Sequence, residues 1–226
     1  VTPFPRFPAT RPTSLCQLAG VWKPRGLGDG AMAEQKIDGW RCLFFRGLDG
    51  KPALWTRNGM PMNGVSHILA RLIEVEQAMG GRYMIDGEFQ VDGKLAATKA
   101  HQEQRWRSGD AGLFHAFDAV PIADWERGRC DIPLYQRKGL LKRAIEATAP
   151  HPDDWEWRPR SRGKDHGADP LSLLADEWVT DAGDAQAMAE RIWAAGGEGI
   201  VIKDAESPYI RARCDSWEKL KKAGVA

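Results

Sequence analysis

No apolar run in this sequence approaches the roughly 18 residues that span a bilayer, so it encodes no membrane-crossing helix. The opening stretch, VTPFPRFPATRPTS, carries proline and arginine but no apolar core, and it does not read as a secretory signal. Net charge is nearly absent at +1. A chain that gripped a polyanion with its whole surface would be more basic, so any such footprint must come from local clusters. Cysteine is sparse: Cys16, Cys42, Cys130 and Cys214 are scattered, with neither CxxC spacing nor a paired histidine. That pattern argues against a zinc site and for four reduced thiols in a cytosolic protein. His67, His101, His115, His151 and His166 show no ligand spacing either, and each is expected to be structural or exposed. No internal repeat is visible.

What is present is an ordinary globular mixture. The 226 residues are 42% hydrophobic and 28% charged, enough to bury a core as one large domain or as two lobes around a cleft. Residues 1–20 read as an extended lead-in because proline blocks a helix there. GLGDG at 26–30 is a turn. RCLFFR (41–46) and PALWTR (52–57), joined across an Asp-Gly turn, read as a β-hairpin. Apolar residues at three-and-four spacing from Gly64 to Met79 predict a helix, stopped by Gly80-Gly81. RYMIDGEFQV (82–91) and LFHAFDAV (113–120) are strand candidates, and Leu134 to Thr148 is a second helix. Residues 150–170, polar and proline-rich, read as a surface insertion. Asp184 is placed to cap a third helix ending at Ala195, and GIVIK after it reads as a buried strand. Strands and helices alternate irregularly, so the expected class is α+β rather than a doubly wound parallel sheet.

The sharpest local signal is EQKIDGWR at 34–41, where Lys36 stands two residues before Asp38-Gly39. A lysine attacks phosphorus only as the free amine, a form favoured by partial burial, a bound metal and nearby cations. Gly39 would let the backbone approach a ligand closely. Alone, a K-x-D-G reads more readily as a solvated surface charge. It does not stand alone. KIDGWR (36–41) resembles motif I of the covalent nucleotidyltransferases, the family of DNA ligases, RNA ligases and mRNA capping enzymes. TRNG (56–59) looks like motif Ia, IDGEF (85–89) like motif III, HAFDAV (115–120) like motif IIIa, EGIVIK (198–203) like motif IV and WEKLKK (217–222) like motif V. The matches are collinear and span nearly the whole chain, and their combination is most similar to ATP-dependent DNA ligases.

The resemblance implies an ATP-grasp-like nucleotidyltransferase fold, with antiparallel sheets flanked by helices around a nucleotide cleft. It implies ATP and Mg2+ or Mn2+ as cofactors and nicked double-stranded DNA as the partner, in a monomeric cytoplasmic or viral protein. Lys36 would be the nucleophile that carries AMP. Glu34 and Gln35 would contribute to nucleotide binding. Arg41 and Arg57 would hold phosphate or sugar, where a guanidinium fork binds oxygens bidentately. Glu88 would bond the ribose hydroxyl, and Phe117 would stack on adenine, although a core phenylalanine is the commoner fate of that residue. Glu198 would hold the metal; Asp38 would assist metal or DNA chemistry or simply fix its loop. Lys203, Lys219 and Lys221 would neutralise phosphate, with Trp217, Lys219 and Lys221 on one face of a strand. RWR at 105–107 and the basic cluster at 158–164 could touch DNA phosphates or be solvated loop charges.

The sequence also departs from the family. Ligases carry an OB-fold domain with a sixth motif that orients the pyrophosphate, and this chain stops shortly after WEKLKK. The expectation is one adenylation domain over 1–226 without the OB-fold domain, binding ATP and DNA weakly and self-adenylating poorly. YIRARCDSW lacks the usual Gly-Arg pair, which puts contacts from Arg211 or Arg213 in doubt. An RNA-end or capping-type transferase, or a silent nucleic-acid-binding relic, are the alternative readings.

Overall fold

The computed structural model describes residues 14–104, 109–149 and 169–222. Residues 1–13 of the lead-in, RWR at 105–107, the basic cluster at 158–164 and most of the 150–170 insertion therefore lie outside the described residues. In chain order the elements are β1 (Leu18–Val21), β2 (Ala31–Gln35), β3 (Trp40–Arg46), β4 (Pro52–Thr56), α1 (Ser66–Ala78), β5 (Tyr83–Gln90), α2 (Leu95–Glu103) and β6 (Leu113–Pro121). They continue with α3 (Ile122–Arg127), β7 (Arg129–Cys130), α4 (Leu134–Ala147), β8 (Leu171–Leu173), β9 (Asp176–Val179), α5 (Ala182–Ala194), β10 (Gly199–Lys203), β11 (Tyr209–Ile210) and β12 (Arg213–Lys221).

Two five-stranded sheets carry the fold, in the orders β1-β12-β10-β2-β9 and β4-β3-β5-β6-β8. Alternation along β3 shows how the layers stack. Cys42 and Phe44 enter one apolar cluster with Ile68 and Leu72 of α1 and Leu141 of α4. Leu43 and Phe45 enter another, which holds Met32 and Trp217 of the first sheet. A strand buried on both faces has to lie between two layers. The first sheet is covered on its far side by Ala185, Met188 and Ala189 of α5, packed on Ala33, Ile200 and Ile202. The order is helices, sheet, sheet, helix, which is the α+β class read from the sequence. Among the described residues no helix is long and apolar enough to cross a membrane.

Several details differ from the sequence reading. The sheets are not purely antiparallel: β1 runs parallel to β12 and β8 parallel to β6. The end of the lead-in is structured, since Leu18–Val21 forms an edge strand and Cys16 and Gln17 are buried. The cap of α5 is Asp181, whose carboxylate accepts from the Asp184 N–H. Asp184 instead bonds back to the Thr180 N–H and hydroxyl, giving a reciprocal cap that serves two orphan donors. Two residues of the expected insertion belong to the fold: Asp169 pairs with Arg71, and the Pro170 carbonyl accepts from Phe114.

Candidate active site

Between the two sheets lies a cleft of about 720 Å3, lined from β2, β3, β5, β6, β10, β12 and the turn after β4. Lys36 follows β2 directly, and its N–H donates to the Gly199 carbonyl at 2.8 Å. Gly199 has φ +144°, and a Cβ there would overlap the Leu220 carbonyl, so only glycine lets β10 start this close to β12. That close start brings Glu198 beside Lys36 and Lys221. Its Oε2 lies 2.5 Å from Lys36 Nζ, and Lys221 ion-pairs with its other oxygen. Burial pushes the Glu198 carboxyl up, but hydrogen bonds from Lys221 and Lys36 outweigh it and hold the group below the usual carboxylate range.

The cleft floor is aromatic and cationic. A register shift between β5 and β6 pairs Asp86 with Asp118 and Gly87 with Ala116, leaving Phe117 as the extra residue of a bulge. Bulges re-aim side chains, and here Phe117 turns into the cleft. Trp217 meets it edge-on, ring centres 6.1 Å apart. Lys203 Nζ lies 4.3 Å from the Phe117 ring centre and 4.1 Å from that of Trp217. Its ammonium is 2.5 Å from Oε2 of buried Glu34, and the other Glu34 oxygen is 2.6 Å from Lys138.

Arg41, expected to hold phosphate or sugar, lines the cleft with part of its guanidinium already paired. Its Nε and Nη2 both donate to Asp86, at 2.9 and 2.7 Å, and the Tyr209 hydroxyl donates to the same carboxylate at 2.6 Å. Its guanidinium carbon lies 5.0 Å from the Phe117 ring centre. The Nε–Nη2 edge of the guanidinium is taken by Asp86, which fixes Arg41 in the floor of the cleft that it lines. Burial works against its charge, yet Asp86 overcomes that and holds it more firmly protonated.

Glu88 also lines the cleft, partly buried. Burial raises its carboxyl to about 7, despite the opposing pull of Arg41 and Lys36. The folded chain therefore holds a proton there that the unfolded chain has already released, from its ordinary carboxyl range up to about pH 7. Across that window stability falls as pH rises. Glu88→Gln removes the titration, so at pH 8 this variant should be more stable than the parent, by up to about 3 kcal/mol, with a flatter dependence of Tm on pH. Equal pH dependence in the two proteins would show that Glu88 is not the source.

Of the other residues singled out by sequence, Gln35, Arg57 and Lys219 line the same cleft, Arg57 from the exposed turn after β4. Burial, together with Lys221, Arg213 and Lys36 nearby, lowers the Lys219 amine below its ordinary range. Asp38, expected either to assist metal or DNA chemistry or to fix its loop, stands outside the cleft lining. Its backbone carbonyl accepts from Gln90 at 3.0 Å. That bond ties the Asp38 backbone to β5 and leaves its carboxylate exposed. Gly39 is needed because a Cβ would collide with the Phe89 carbonyl of β5, so the close approach is to the chain itself. Arg211 is buried against the Trp125 ring, whereas Arg213 lines the cleft. Sequence reading missed Lys138, which belongs to none of the motifs. Among the described residues no group of three or more His, Cys, Asp or Glu side chains gathers to hold a metal, and all four cysteines are free thiols.

Known proteins share this fold. The sequence profile described as "ATP dependent DNA ligase domain" matches residues 24–221. A protein described as a probable DNA ligase from Kineococcus radiotolerans is 27% identical over 202 residues, covering 87% of this chain and 34% of that protein. The solved structure Pmar-Lig_PreS3 superposes with a TM-score of 0.74 at 20% identity, covering 92% of this chain and 46% of that one. The ATP-dependent DNA ligase from bacteriophage T7, in complex with ATP, gives 0.68 at 16% identity, covering 92% of this chain and 68% of that one. This chain thus spans about a third of that curated relative and about half of the first of these structures.

Proposed function

This chain belongs to the ATP-dependent DNA ligase domain family, and from that premise we propose that it is the adenylation core of a DNA ligase, with Lys36 as its nucleophile. The observation that carries the reading is the meeting of Lys36 with Glu198 at 2.5 Å, in one cleft with Lys219, Phe117 and Glu88. Free Lys36 amine attacks the α-phosphorus of ATP. A P–N bond forms, the P–O bond to pyrophosphate breaks, and the amine proton is lost. AMP then passes to the 5′-phosphate of a nick in double-stranded DNA, and the 3′-hydroxyl displaces it. All three steps are phosphoryl transfers, so positioning and charge neutralisation dominate.

Within that scheme Phe117 stacks on the base, Glu88 bonds the ribose, and Lys219, Lys221 and Arg57 meet phosphate. Lys203, buried against Glu34, acts at the floor. Glu198 would hold a hard cation such as Mg2+ or Mn2+, which takes oxygen ligands. When bound, that ion supplies charge neutralisation at phosphate. Before a ligand arrives, Glu198 holds the two lysines in place. The four free thiols support a cytoplasmic setting.

Incubation with α-labelled ATP or GTP, followed by denaturing gels, tests the first step. Label from ATP should be retained at least tenfold more than label from GTP. Chase with nicked DNA should release it, and nicked RNA should not. Preferential retention of GMP, or discharge only on RNA, would overturn the ligase reading.

A further inference from the structure

Lys138 and its neighbour Arg137 grip different sheets from one turn of α4. Arg137 donates through Nε and Nη2 to Asp118 of β6, at 2.9 and 2.8 Å, in the second sheet. Lys138 reaches the first sheet, where its ammonium lies 2.6 Å from Glu34 and 2.5 Å from Asp176. Glu34 and Asp176 are cross-strand partners on β2 and β9. The chain of charges runs Asp176, Lys138, Glu34, Lys203, alternating in sign and ending on the Phe117 and Trp217 rings. Lys138 and Glu34 are almost wholly buried.

A lysine loses rotamer freedom and its hydration to sit there. Packing α4 against the second sheet does not require it, since Arg137 and Leu141 already do that. What Lys138 alone supplies is a second donor for Glu34. A carboxylate held by one lysine can pivot about that bond, whereas one held on both oxygens from opposite layers cannot. We infer that Lys138 is a positioning residue for nucleotide binding, acting through Glu34 and Lys203 on the aromatic floor of the cleft. The inference rests on the nucleotide-binding part of the proposed function.

The test compares the parent chain with Lys138→Met, and with Lys138→Gln as a milder change that keeps one N–H donor. Affinity is measured by calorimetry with an ATP analogue carrying a methylene bridge between the α and β phosphorus, which binds but cannot release pyrophosphate. The rate of lysyl-AMP formation is measured separately at saturating ATP, both well below each variant's Tm. Lys138→Met is expected to weaken analogue binding at least tenfold, and Lys138→Gln at least threefold, with the saturated rate within threefold of the parent. Affinity within twofold of the parent in either folded variant overturns the inference and assigns Lys138 to stability alone, as does a lost saturated rate with unchanged affinity. If the parent binds the analogue yet gains no AMP from ATP, the enzymatic reading fails while the affinities still decide the role of Lys138.

Discussion

Lys36→Ala is expected to abolish retention of labelled AMP altogether, with no other lysine taking over. Lys203 is buried under Glu34, and Lys221 is not among the residues lining the cleft, so neither presents an amine in its place. Lys219 lines the cleft and its amine is lowered by burial and neighbouring cations, which makes it the natural competitor. Geometry separates the two: Lys36 extends from the end of β2 beside Glu198, whereas Lys219 sits across β12 from Val21 and Val201. An attack through another lysine would need a different phosphate position, and loss of alignment by an ångström costs about a hundredfold. Lys36→Arg sharpens the test. It keeps a cation for Glu198 but offers no free amine at neutral pH, so it should fold like the parent and retain no label. Label retained by either variant at more than a hundredth of the parent level would remove Lys36 from its role.

Asp86→Ala carries the largest expected cost in stability. Asp86 is fully buried and accepts two bonds from Arg41 and one from Tyr209. Removing one partner of a buried pair strands the other charge, at about 3–5 kcal/mol. In a domain of this size each kcal/mol moves Tm by about 2–4 °C, so a fall of roughly 10 °C is expected. Removing both charges should be far milder, because the stranded guanidinium is then gone. The double variant Asp86→Ala/Arg41→Met should therefore melt above the single Asp86→Ala. A double variant that melts at or below the single one would mean that the pair does not act as a unit.

These two predictions divide along what a sequence can display. Lys36, Glu88, Phe117, Glu198, Lys219 and Lys221 were legible because the family resemblance puts particular residue types in a fixed order; Lys36, Glu88, Phe117 and Lys219 line one cleft, and Glu198 pairs with Lys36 and Lys221. The hairpin of β3 and β4, helices α1 and α4, and strands β5, β6 and β10 were legible from periodicity and turn residues. The supports were not. Nothing in KIDGWR says that the arginine pairs with Asp86, because that pairing joins positions 45 residues apart. Lys138 joins Glu34 across 104 residues, from a helix whose pattern reads only as amphipathic. Strand β2, AMAEQ, consists of poor strand formers and exists because β10 and β9 bracket it. Helix α2, by contrast, left a signal: the Asp92-Gly93 turn is followed by a run of good helix formers. The exposure of Asp38 was not legible either, because it depends on how the loop after β2 sits against β5.

The most direct test of the central claim is intact mass after incubation with MgATP, followed by peptide mapping under conditions that preserve a phosphoramidate. A gain of one AMP per chain, on the peptide containing Lys36, is the result predicted here. No gain of mass, or AMP mapped to Lys219 or any other residue, would contradict it.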